Sequence, residues 1–84
     1  MIDGTVIAPR GVNVRNAPNG PEKVGRPLER GTRVEVTCQT EKDGLPWLKL
    51  KEPRSGNWIV RSVGRVTPVT VVQLESEPPR CSDD

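Results

Sequence analysis

In the stretch Thr32-Arg33-Val34-Glu35-Val36-Thr37, apolar and charged side chains alternate one for one. A period of two is the signature of an extended chain with one dry face and one wet face, so Val34 and Val36 are expected inward and Arg33 and Glu35 outward. Arg33 and Glu35 share the wet face, where charge pairing contributes little. Gly31 marks a turn before the strand. After it, the polar run over residues 39–44 (QTEKDG) is expected to be a loop, with the Asp43-Gly44 step as its turn signal. The alternation then resumes in Trp47-Leu48-Lys49-Leu50-Lys51, which places Leu48 and Leu50 on one face and Trp47, Lys49 and Lys51 on the other.

Outward from this pair, the same grammar repeats in shorter pieces. Residues 5–8 (TVIA) form a short β-branched segment stopped by Pro9. Residues 11–20 (GVNVRNAPNG) begin as a strand, with Val12 and Val14 to one side and Asn13 and Arg15 to the other. Asn16, Pro18, Asn19 and Gly20 then end it, because proline lacks a ladder donor and Asn and Gly tolerate turn dihedrals. Val24 and Leu28 are apolar anchors around the bend Gly25-Arg26-Pro27. A further loop over residues 52–56 leads to Asn57-Trp58-Ile59-Val60, where either Ile59 or the pair Trp58 and Val60 faces the core. Val63 and Val66 carry the chain to a last strand over residues 69–74 (VTVVQL). Residues 75–84 (ESEPPRCSDD) lack an apolar pattern and are expected to be disordered.

Composition agrees with an all-β class. The 84 residues allow one domain, which must fold around a small core. Phe and Tyr are absent, valine dominates the apolar set, and nine prolines with eight glycines oppose any long helix. The inward set is expected to be Val6, Val12, Val14, Val24, Leu28, Val34, Val36, Leu48, Leu50 and Ile59. Basic and acidic residues interleave to a net charge of +2, and two tryptophans are the only aromatics. That pattern lacks the basic stripe with stacking aromatics of a nucleic-acid binder, so no nucleic-acid partner is expected. No apolar run approaches the roughly 20 residues a membrane span needs. The first residues lack a signal-peptide pattern, so the chain is either cytoplasmic or part of a longer exported one, which would place it in the cell envelope or outside the cell. Cys38 and Cys81 are far apart in sequence and Cys81 sits in the patternless tail, so either two free thiols or a cysteine paired outside the chain is expected. Two cysteines without a histidine oppose a zinc site, and no cofactor or metal is expected.

Four blocks in order resemble the bacterial SH3-like (SH3b) family. "GVNVRNAPN" is similar to its Leu/Val-Asn-Val-Arg-Ser/Asn-x-Pro opening, and "KVGRPLERGTRVEV" to its Val-x-x-x-Leu-x-x-Gly-x-x-Val-x-Val block. "PWLKL" resembles its Trp-Tyr-Lys-Val strand, and "GNWIVRSV" its closing Gly-Trp-Val segment. The resemblance covers residues 5–63. It implies a small five- to six-stranded SH3-like barrel. The chain beyond Val63 is longer than the family's core needs, so residues 64–74 are expected to add a strand to a domain of residues 1–74, or to pack against a neighbour, ahead of the disordered tail over residues 75–84. The resemblance also implies that residues 16–23 form a long loop folded over one side of the barrel, braced by hydrogen bonds from Asn13 and Arg15. The chain departs from the family where aromatics are common, at Leu48 and Val63, and at Asn57, where the family often has glycine.

Catalysis is not expected, because the inventory holds no histidine base and no tyrosine, and Asp3, Asp43 and Glu52 sit in loop-like settings. The ligand-binding candidates are Trp47, Trp58, Arg15, Asn13 and Lys49. Alternation places Trp47 opposite Leu48 and Leu50, hence off the core, either as a binding face or as a cover for the barrel end beneath residues 16–23. Trp58 either plugs the barrel or joins Trp47 outside. Arg15, Arg33, Lys49 and Arg61 either ring an anionic ligand or serve as ordinary surface charges. The Pro18–Pro21 spacing brackets Asn-Gly and reads as a turn. The family implies a binding module for peptidoglycan stem peptides or a partner peptide, expected to be monomeric. The alternative is an assembly domain of an envelope or phage complex that uses residues 69–74.

Overall fold

Val34 and Val36 are buried and Arg33 and Glu35 exposed, as the alternation requires. They belong to β2 (Arg33–Lys42), the longest strand in a computed structural model that describes residues 1–51, 57–64 and 66–81. The other strands are β1 (Ile2–Val6), β3 (Leu45–Leu50), β4 (Trp58–Val60), β5 (Ser62–Val63), β6 (Val69–Thr70) and β7 (Val72–Leu74). Among the described residues there is no helix. The loop expected over residues 52–56 lies outside them.

β2 runs further than its apolar alternation. The polar residues Gln39 to Lys42 continue the ladder against β3, and the reversal is confined to Asp43 and Gly44. Both have positive φ, 54° and 80°, which is the backbone of a two-residue hairpin turn whose twist matches the flanking strands. The ladder steps from Val36↔Leu50 to Cys38↔Lys49, so β2 advances two residues while β3 advances one. This is a β-bulge at Thr37, whose hydroxyl donates to the Lys49 carbonyl at 3.3 Å. Beyond it the pleat is re-phased. Cys38 faces the side of Lys49, and Gln39 faces the side of Leu48.

The main sheet has five antiparallel strands in the order β4-β3-β2-β1-β7, and β5 with β6 forms a separate two-stranded sheet. It does not close into the expected barrel. β4 and β7, at opposite edges, share no ladder; they come together only through their continuations, where β5 pairs with β6 and the amides of Val71 and Val72 donate to the Arg61 carbonyl at 2.8 and 3.1 Å. Strands of two and three residues are too short to carry a seam around the molecule. Residues 64–74 are more than an addition, since β7 pairs with β1 and buries Val72.

Residues 11–20 form no strand. Val12 pairs with Leu28, and Arg15 pairs with both Lys23 and Trp58, each as an isolated bridge. The chain here crosses between elements, and the alternation of Val12 and Val14 serves to point both into the core. The buried cluster contains nine of the ten expected inward residues, with Val24 half-buried against it. It also contains Trp47, Val60, Val71 and Val72.

The tail is held. Glu75 N–H donates to Asp3, and Pro78 is buried. Arg80 pairs in parallel with Gln39, along the edge of β2 that β1 leaves vacant. Cys38 and Cys81 form a disulfide, with Cα atoms 4.9 Å apart, inside the range a disulfide spans. The expectations of free thiols and of disorder over residues 75–81 are therefore corrected. Both rested on the absence of an apolar pattern, which is blind to a segment fixed by main-chain bonds and a covalent link. Residues 82–84 lie outside the described residues.

Candidate functional site

Directly opposed residues in paired strands project from the same face. Lys49 is opposite Trp58, Trp58 is opposite Arg15, and Arg15 is opposite Lys23. Three consecutive pairings thus place an indole in a row of cations. Trp58 is half-buried, and the Lys49 ammonium lies 6.0 Å from its ring centroid, at the outer limit of a cation–π contact. The position of Arg15 is set by a two-way main-chain pairing with Trp58, each bond 2.8 Å, and its guanidinium donates to the Pro21 carbonyl at 3.2 Å. The ion pairs among the described residues join Arg33 to Asp3, Lys51 to Glu35 and Arg61 to Glu77. None of these involves Lys23, Arg15 or Lys49.

A cleft of about 360 Å³ lies between the bend at residues 24–28 and Asn57. Val14, Val24 and Leu28 supply its apolar wall, and Arg26 and Asn57 its polar groups. The bend is possible because Gly25 takes φ +65°, a left-handed value that glycine adopts without a Cβ penalty.

The structure separates the expected site residues. Trp58, Arg15 and Lys49 come together. Trp47 does not: it is only 5% exposed and packs in the core cluster, which corrects the expectation that its indole stands off the core. Trp47 lies in the row Thr40–Trp47–Val60. The loop over residues 16–23 is anchored on either side of that row, at Trp58 through Arg15 and at the hairpin tip through a hydrogen bond from Asn19 to Asp43. Both faces of β3 are dry at this end, a situation that strict alternation does not describe. The Trp47 indole N–H has no hydrogen-bond partner among the described residues. Arg15 braces the loop as expected, whereas among the described residues the Asn13 side chain makes no hydrogen bond to it. Arg33 and Arg61 are each engaged by a carboxylate and form no ring with Arg15 and Lys49. Lys23, Arg26 and Asn57 were not among the expected site residues. Val24 and Leu28 mark the bend in sequence, but its approach to Asn57 depends on packing between segments remote along the chain.

Arg61 has a structural task. Its guanidinium donates to Gln39 at 2.6 Å and to both carboxylate oxygens of Glu77 at 2.8 and 2.9 Å. The hydrogen bonds from Arg61 hold the Glu77 carboxyl below its ordinary value, and those to Glu77 raise Arg61. A depressed carboxyl contributes stability that is present above its unfolded pKa and lost as pH falls through the lower folded value. Wild-type protein should therefore melt slightly higher than Glu77→Gln at neutral pH. Thermal scans from about pH 6 down to about pH 3 should show that advantage disappear, while raising the pH from 6 to 9 should leave it intact.

Comparison of the chain with family models, with curated proteins and with solved structures finds no significant match.

Proposed function

We propose that the chain is a non-catalytic binding module of the bacterial SH3-like type, taking a short extended peptide that carries carboxylate groups. Cell-wall stem peptides and an acidic segment of a partner protein share that chemistry. The observation that supports this reading is the row in which Trp58 stands between Lys49 and Arg15. The indole offers apolar contact and the flanking cations attract carboxylates. A site this small binds weakly alone and gains by being linked to other domains. The disulfide supports a place in the cell envelope or outside the cell, where such bonds persist.

Titration with soluble muropeptides, followed by NMR, tests the proposal. The Trp58 indole N–H should shift and saturate, while the buried Trp47 indole moves little. Trp58→Ala should weaken binding by about tenfold or more, as loss of a central aromatic anchor does. Raising the salt should weaken it further. An unmoved Trp58 signal at millimolar ligand would exclude muropeptides, and the same result with an acidic peptide series would end the reading. A second reading, an assembly domain, is favoured by exposed Val63, Val66 and Val69 on the β5–β6 hairpin, Val66 being 96% exposed. It predicts line broadening at these residues that grows with protein concentration.

A further inference from the structure

We infer that residues 75–81 are a redox-released strap, closed over the edge of β2 by the Cys38–Cys81 disulfide and opened by a dithiol. Few non-covalent contacts hold the strap. Its main-chain bonds to β2 are Gln39 N–H to the Pro79 carbonyl and Cys81 N–H to the Gln39 carbonyl, each 2.8 Å. Glu75 is tied to Asp3 at one end, Glu77 to Arg61, and Pro78 is buried. The other strap residues from 75 to 80 are exposed. Ordering seven backbone residues carries an entropy cost that so few bonds, one of them an ion pair with a largely exposed carboxylate, do not offset. The covalent link is what keeps the segment in place. Both cysteines are only half-buried, so a reductant can approach.

The chemistry balances. One thiolate of a dithiol attacks a sulfur of the Cys38–Cys81 bond, and the other cysteine leaves as a thiolate. The second thiol of the reagent then closes on the mixed disulfide. The reagent departs as a disulfide, and the protein gains two electrons and two protons, held as two thiols. With the strap gone, the Gln39 N–H and C=O lose their partners, and Arg61 loses Glu77. The strap supplies none of the five strands of the main sheet. Opening is therefore local.

Amide hydrogen exchange, read by NMR on the full chain before and after dithiothreitol, tests this. In the oxidised protein the Gln39 and Cys81 amides should be protected. After reduction their exchange should accelerate by about tenfold or more, while the Val12, Leu28 and Lys51 amides change less than about twofold, the pattern of local opening. Cys81→Ser without reductant should reproduce the reduced pattern and separates strap release from any effect of the reagent. Unchanged protection of Cys81 after reduction would overturn the inference, since the strap would then hold without its bond. Equal acceleration at all five amides would overturn it too, since the disulfide would then hold the whole fold. So would alkylation of both cysteines in protein never exposed to reductant.

Discussion

Replacing Gly11 with alanine should destabilise the protein by about 3 kcal/mol or more. Gly11 has φ +76°, and a Cβ there would stand 2.3 Å from the Leu28 carbonyl oxygen. That oxygen cannot retreat cheaply, because it accepts the Val12 amide at 2.9 Å while Leu28 N–H donates back to Val12 at 2.8 Å. Moving it would break the pair that holds residues 11–28 against the core. Gly25→Ala is the control: φ is +65°, but a Cβ there meets nothing within 4 Å. Its cost should be only the left-handed backbone penalty of about 1 kcal/mol. Chemical denaturation of both variants gives the comparison; similar midpoints would mean that residues 11–28 adapt freely.

Leu48→Ala should cost about 3–4 kcal/mol. Leu48 is fully buried in β3 and lies in register between Gln39 of β2 and Ile59 of β4. Neighbours on both sides are fixed by ladder hydrogen bonds, so the site cannot collapse around the void, and the cavity penalty adds to the lost transfer energy. A domain of this length has a total stability of only about 4–13 kcal/mol. The variant should thus unfold at a much lower urea concentration with an unchanged slope. A loss under about 1 kcal/mol would mean that the core is loosely packed at its centre.

How far the sequence could be read depended on whether one local rule governed each segment. At Val34, Val36, Leu48 and Leu50 alternation alone decides the facing, and all four are buried. At Trp47 the same rule gives the right face and the wrong exposure, because that face of β3 is buried as well and nothing local announces it. Val12 and Val14 point inward without belonging to a strand, since a bridge or two suffices to orient them. The tail carries no apolar code, so its position rests on contacts with Asp3, Gln39 and Arg61, all remote along the chain. Of the site, Trp58, Arg15 and Lys49 were legible as residue types suited to a ligand. Their alignment was not, because Arg15 joins the row through an isolated bridge that has no sequence signature.

The extra residue at Thr37 has a consequence for any related chain. In a regular strand Val36 and Cys38 would look the same way, and the sulfur would be sealed among aliphatic side chains with no route to Cys81. The irregular step turns it outward and gives the C-terminus something to fasten to. Two chains could therefore match at both cysteines and still differ in whether they can form the crosslink. The spacing between that valine and that cysteine would be the better guide.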